Sequence, residues 1–253
     1  MKIDLHVHSC YSREPSVYLL RKIGINECYV DPFDVYKLAK QRGMDAVTIT
    51  DHDSIEGCLR IVHLPDTFMG CEVTATFPDE FCQVHVLVYH VSEEQFGEIN
   101  RLRENVHDLI DYLNKQRIRY VLAHPFYTVN NRLTVEVFEK CLLLFGCYEI
   151  SGEQPPSLQR RLRQTLASLT PELIERLINK HDILPLQAEP WQKHLVGGSD
   201  DHSGIYLGNT YTEVTGAARM EDFWRGVDSD HAAVRYHTVP TPLTRAHHQF
   251  SIA

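Results

Sequence analysis

Two histidines stand at alternate positions within the first ten residues, His6 and His8 of MKIDLHVHSCYSREP, and a charged pair, Arg13 and Glu14, follows them. Further metal-ligand types recur down the chain: His52 in TDHD, Glu72 in CEVT, His85 in QVHVLVY, His124 in AHP, and Asp200 and His202 in GGSDDH. Imidazole nitrogen and carboxylate oxygen without thiolate suit zinc, manganese or iron better than calcium, which takes oxygens alone. A carboxylate bridging two such cations holds them about 3.5–4 Å apart, close enough to acidify a shared water and clamp a phosphoryl oxygen. A single histidine on a strand is ordinarily a hydrogen-bonded or exposed residue, so no one position carries the reading. Their shared placement does. Each falls at the end of an expected strand, where α/β folds build sites because the following loops converge on one face.

The elements that must position them follow from periodicity and caps. KIDLHVH reads as a strand with Ile3, Leu5 and Val7 on one face and Asp4, His6 and His8 on the other. DPFDVYKLAKQRG reads as a helix, with Asp31 as N-cap, Pro32 in its first turn and Gly43 past its end. DAVTIT is a second buried strand running into Thr50, Asp51, His52 and Asp53, and MGCEVT and QVHVLVY are further strands. SEEQFGEINRLRENVHDLIDYLNKQ reads as one long helix capped by Ser92, with an apolar stripe of Ile99, Leu102, Val106, Leu109, Ile110 and Leu113. Then come strand RYVLAHP, helix TVEVFEKCLLLF, strand GCYEIS, two helices within residues 156–181, HLVGGSDDH and YLGNTYTEV. This β-then-α rhythm predicts a mostly parallel α/β domain, with a barrel as one form of it.

Parity separates participants from bystanders. His85 and His90 lie an odd number of positions apart, so a regular strand points only one of them at a shared site. His107 falls within the long helix, and His63, His194, His231, His237, His247 and His248 have no strand-end context; all are expected to be bystanders. Asp51 and Asp53 flank His52 as orienters of ligand rings, with capping of the following helix an equal alternative for Asp53.

With 253 residues, 43% hydrophobic and 23% charged, the chain can bury a substantial core. One domain over residues 1–253 is expected, residues 241–253 being a tail or the start of a linker. A formal net charge of -9 argues against a long nucleic acid or an anionic membrane surface as partner. Seven scattered cysteines, with no C-x-x-C, fit reduced thiols. The chain begins directly with a strand rather than a secretory apolar region, and its longest apolar run, CLLLFGCY, is too short to span a bilayer. A soluble cytoplasmic protein is the expectation.

Taken in order, D-L-H-V-H-S, T-D-H-D, C-E-V-T, H-V-L-V-Y, A-H-P and G-G-S-D-D-H resemble the motifs of the PHP (polymerase and histidinol phosphatase) superfamily, over nearly the whole chain from Asp4 to His202. The resemblance implies a distorted (β/α)7 barrel with a two- or three-metal site at the C-terminal ends of its strands. It implies one metal on His6, His8, Glu72 and Asp200, a second on Glu72, His85 and His124, and a third on His52 and His202. Many relatives read H-S-x-x-S-D-G, with aspartate where this chain has Arg13. Some carry a third-site histidine one position further on, where Glu14 stands. Either Glu14 completes the third site or that site is weakened or empty.

The leading expectation is a metal-dependent phosphoesterase acting on a monoester or diester through a metal-bridging hydroxide, with Glu72, Asp200 and Arg13 as the catalytic set. Arg13 would clamp phosphate with its planar fork, or equally pair with a neighbouring carboxylate. Residues 13–30, Phe126, Tyr127 and Tyr206 are expected pocket walls. The expected partner is a small phosphorylated substrate, a nucleotide among the options. Hydrolysis of an amide or peptide bond, or of phosphotyrosine protein, is a second enzymatic reading. A non-catalytic metal-stabilised module is the alternative of a different class, and the full ligand set argues against it. Substrate, metal identity and oligomeric state do not follow from the residues.

Overall fold

Short buried runs alternate with capped helices in the computed structural model, which describes residues 1–12 and 28–238. Arg13 and Glu14, most of the expected pocket wall at residues 13–30, His247, His248 and the 241–253 tail lie outside the described residues. In chain order the elements are β1 (Lys2–Ile3), α1 (Pro32–Gln41), α2 (Glu56–Ile61), β2 (Gly70–Phe77), β3 (Cys82–Tyr89), α3 (Glu93–Leu102), α4 (Val106–Lys115) and β4 (Arg119–Leu122). They continue as α5 (Val135–Leu144), β5 (Cys147–Ser151), α6 (Pro156–Ala167), α7 (Pro171–His181), β6 (His194–Gly198), β7 (Thr210–Val214), α8 (Met220–Asp228) and β8 (Ala232–Tyr236).

The fold is mixed α/β. A five-stranded sheet runs β2-β3-β4-β5-β6, and β1-β7-β8 form a three-stranded antiparallel sheet. The expected mostly parallel sheet is found in part: β2-β3 and β3-β4 pair antiparallel, β4-β5 and β5-β6 pair parallel, and the isolated bridges Val7–Asp201, Val47–Thr67 and His52–Glu72 are parallel as well. The β2-β3 link is a short turn with Phe81 at φ 51°, too short for the crossover a parallel pair requires. Parallel pairs appear where helices supply that crossover, α5 between β4 and β5 and α6 and α7 between β5 and β6. Beyond the named strands, His8 N–H donates to Asp201 O at 3.1 Å, Asp200 N–H to His6 O at 2.8 Å, Thr50 N–H to Val7 O at 2.8 Å and Glu72 N–H to Asp51 O at 3.2 Å. Residues 46–50 are thus an extended segment held by isolated contacts rather than a full ladder strand.

Asp31 caps α1 by accepting from Phe33 N–H at 2.8 Å, and Gly43, past its end, takes φ 81°. The expected long helix is two. Ser92 and Gln95 close a capping box on α3, but the chain breaks after Arg103 and Asn105 caps α4 through His107 N–H. An internal N-cap residue competes with helix continuation by satisfying free N–H groups itself. The apolar stripe survives the break: Val106, Leu109, Ile110 and Leu113 bury into the same cluster as Val73, Val86 and Leu122. Each fully buried aliphatic side chain of this kind stabilises by about 1.5–3 kcal/mol. A second cluster packs α8, through Phe223, Trp224 and Val227, onto Val196 and Val214.

All seven cysteines are free thiols. No helix among the described residues is long and apolar enough to cross a membrane.

Candidate metal centre

Glu72 lies near the start of β2, fully buried, and its backbone is gripped on both sides. Its N–H donates to Asp51 O and its carbonyl accepts from Asp53 N–H at 2.8 Å. The side chain gathers imidazoles on each oxygen. His6 Nε2 lies 3.0 Å, His8 Nε2 3.3 Å and His52 Nδ1 3.0 Å from Oε2. His85 Nδ1 and His124 Nε2 each lie 2.8 Å from Oε1, and 3.4 Å from one another. Asp200 Oδ1 completes one side, 3.2 Å from His6 Nε2 and 3.4 Å from His8 Nε2. His202 stacks on His8 with ring centroids 3.9 Å apart, and its Nδ1 lies 3.1 Å from Asp200 O.

The period-2 extension of β1 brings His6 and His8 to this place together, as their spacing predicts. His85 sits opposite Thr74 on β3 and faces the cluster. His90 leaves by the other side, stacks on Phe68 and accepts from Trp224 Nε1–H at 2.9 Å. His124 and Asp200 follow β4 and β6 in the left-handed region, at φ 24° and 58°. Such conformations cost of order 1–3 kcal/mol each and concentrate at functional sites.

Outer partners assign the ring protons. Ser12 Oγ donates to Asp51 Oδ1 at 3.0 Å, so it accepts from His8 Nδ1–H, 2.9 Å away. Glu149 Oε1 lies 2.9 Å from His6 Nδ1 and, as a carboxylate oxygen, accepts from it. When neutral, both rings therefore turn an Nε2 lone pair inward, where the two atoms stand 3.0 Å apart. Two nitrogens and two carboxylate oxygens converging in this way need positive charge between them. Ligands about 2.1 Å from one divalent cation stand about 3.0–3.4 Å from each other, which matches the observed spacing. The residues fit a metal ion. Sets that could hold one are His6, His8, Glu72 and Asp200; His52, Glu72 and His85; and His8, His52 and His202.

Electrostatics point the same way. Burial acts to lower the His6 pKa, but the charges of Asp200, Glu149 and Glu72 outweigh it and hold the ring well above the ordinary range. His8 and His124 are raised against the same burial by hydrogen bonds to the carboxylates. Burial would raise Glu72 and Asp200; the surrounding imidazoles, His6 foremost, hold both well below the usual carboxylate range. His85 is lowered, its burial outweighing the charge of Glu72.

Every described residue of the expected ligand set is thus brought together. Asp51 orients His8 through Ser12, whereas Asp53 neither caps α2 nor faces a ring. It binds Thr74 N–H at 2.8 Å and Arg103 Nη1 at 2.7 Å. Tyr127 is exposed and stands edge-on to His124 with ring centroids 5.2 Å apart. Phe126 packs on Phe138 with ring centroids 5.0 Å apart, at the edge of the main apolar cluster. Tyr206 donates its backbone N–H to Asp201 Oδ1. Sequence reasoning missed Glu149 and Ser12. The signal for Glu149 was a lone acid inside the otherwise uncharged strand CYEIS; Ser12 carried none.

No family model matches the chain. A stretch of 73 residues, 29% of this chain, is 36% identical to an uncharacterized protein of Methanocaldococcus jannaschii and spans 40% of that protein. Among solved structures, a two-domain protein from Bacteroides vulgatus containing a predicted PHP-like metal-dependent phosphoesterase superposes with a TM-score of 0.56 at 16% identity, covering 94% of this chain. This chain spans 65% of that protein's length. PsfC from Pseudomonas syringae superposes with a TM-score of 0.54 at 16% identity, covering 99% of this chain and 95% of its own. These likenesses show that the chain shares the fold of these two proteins.

Proposed function

We propose that this chain is a metal-dependent phosphoesterase of the PHP superfamily, hydrolysing a small phosphorylated substrate at a two- or three-metal centre. The observation that carries the reading is Glu72, a buried carboxylate with the nitrogens of His6, His8 and His52 within 3.3 Å of one oxygen and those of His85 and His124 at 2.8 Å from the other. His6, His8, Glu72 and Asp200 would hold one cation, and Glu72, His85 and His124 a second. His52 and His202 would hold a third, with Glu14 as its further ligand. Zinc, manganese and iron suit this nitrogen-and-oxygen set. Cations so held supply Lewis acidity toward a phosphoryl oxygen and make water a stronger nucleophile.

The chain's own residues prepare the place. Glu149 and Ser12 direct protons of His6 and His8 outward, and Ser151 Oγ donates to Asp200 Oδ2 at 3.2 Å, leaving Oδ1 turned inward. His6 and Glu72 are sealed from solvent, whereas the His52 side chain is 16% exposed and Tyr127 more so; the substrate enters on that side. Arg13, outside the described residues, is its candidate phosphate clamp. The backbone bonds from His8 to Asp201, Thr50 to Val7 and Glu72 to Asp51 support reading the strands as one seven-stranded barrel and the chain as one domain. Seven free thiols support a reducing, cytoplasmic compartment. The net charge of -9 favours a small phosphate ester, such as a nucleotide, over long nucleic acid.

The test is hydrolysis by chelator-stripped protein reloaded with manganese, zinc or iron, across phosphomonoesters, phosphodiesters and amides. Metal-dependent cleavage of a phosphate ester, reduced about 10²-fold or more in Glu72→Gln, is expected. Activity confined to amides, or less than one metal equivalent in folded protein, would overturn the reading.

A further inference from the structure

Glu149 sits in mid-β5 between Tyr148 and Ile150, fully buried. Burying a carboxylate is expensive unless its oxygens are well matched, and these two are matched to different halves of the metal centre. Oε1 accepts from His6 Nδ1–H at 2.9 Å, and Oε2 accepts from the backbone N–H of His124 at 2.9 Å. The first bond keeps a proton on His6 Nδ1 whether the ring is neutral or charged. The other ring nitrogen, Nε2, faces Glu72, Asp200 and His8. The second bond secures His124 at its φ of 24°, from which its Nε2 reaches Glu72 Oε1 at 2.8 Å. Space for the carboxylate comes from Gly198, where a β-carbon would stand 2.7 Å from Glu149 Oε1.

We infer that Glu149 is a positioning residue, a single carboxylate that fixes the His6 ring and the His124 backbone together and so couples the two halves of the centre. The inference rests on the metal-centre reading above and extends it to a residue outside the ligand set. Glutamine is the diagnostic replacement, because it has one acceptor where two donors must be met. With its oxygen toward His6, its amide group opposes His124 N–H. With its oxygen toward His124, it donates to His6 Nδ1 and moves the ring proton to Nε2, into the centre.

The experiment uses the full chain, wild type, E149Q and E149A. Imidazole and amide protons are followed by NMR in metal-free protein, and zinc affinity is measured by competition with a chromophoric chelator. In wild type, His6 Nδ1–H should appear as a downfield, slowly exchanging proton. In folded E149Q that proton or the His124 amide should shift or vanish, and zinc affinity should fall about 10–100-fold. Unchanged protons with zinc affinity within about twofold of wild type would overturn the inference; should E149A not fold, E149Q decides alone. A wild type that takes up no zinc, manganese or iron would sink the phosphoesterase reading, while the metal-free proton signals would still decide the role of Glu149.

Discussion

His6 Nε2 and His8 Nε2 face one another at 3.0 Å, while their Nδ1 atoms are committed outward to Glu149 and Ser12. Two ring nitrogens at this distance, with Glu72 and Asp200 oxygens beside them, are poised for a cation in the folded state and have no such arrangement in the unfolded chain. Metal should therefore stabilise folding by mass action. At a hundredfold excess over its dissociation constant, the gain is about 2.7 kcal/mol. For a chain of this size that is a rise in Tm of roughly 5–10 °C. Calorimetric scans with zinc or manganese, reversed by chelator and absent in His8→Ala, would check it; no shift with any divalent metal would count against the centre.

Gly198 and His6 approach closely beside the centre, since a β-carbon at Gly198 would lie 2.4 Å from His6 Cβ and 2.8 Å from its backbone nitrogen. Gly198→Ala should destabilise the fold by about 1–3 kcal/mol through overpacking. It should also weaken metal binding, because the displaced neighbours are His6 and Glu149. Urea denaturation of metal-free protein gives the first quantity and chelator competition the second. A variant with wild-type values for both would mean that β6 yields without moving His6.

His90 gives a pH dependence remote from the metal. Partial burial, then the charge of Arg119, lowers its pKa below the usual histidine value, and Trp224 Nε1–H donates to its Nε2. The unfolded chain therefore takes up this proton at higher pH than the folded one. The stability that depends on neutral His90 is present above about pH 6.5, the unperturbed value, and is lost as pH falls through the lowered folded pKa. His90→Gln, which keeps an acceptor for Trp224, should flatten that part of the stability profile between about pH 7.5 and 5 relative to wild type. Parallel wild-type and variant profiles across that range would exclude the effect.

Much of the centre was legible before the fold because its cues are local. Alternation put His6 and His8 on one face, parity divided His85 from His90, and strand ends located His124 and Asp200, whereas Glu72 and His85, expected at strand ends, lie near the start of β2 and in the middle of β3. Caps at Asp31 and Ser92 were legible for the same reason. The break at Asn105 was hidden by an apolar stripe that continues in phase across it. The antiparallel turn into β3 was hidden because a strand's pattern carries its period but not its direction. Arg13 and Glu14, the departure from the family pattern, lie outside the described residues.

Residue types, spacing and strand-end placement are short-range properties, and they suffice to say that this chain carries an imidazole–carboxylate set suited to divalent metals. Partnerships between distant positions are another matter. That Glu72 lies between both groups of histidines, that Ser12 rather than Asp51 touches His8, and that Glu149 joins His6 to His124 depend on strands separated by up to 143 residues meeting at one place. Hydrogen bonds are decided over tenths of an ångström, and the packing of the sheet sets those distances.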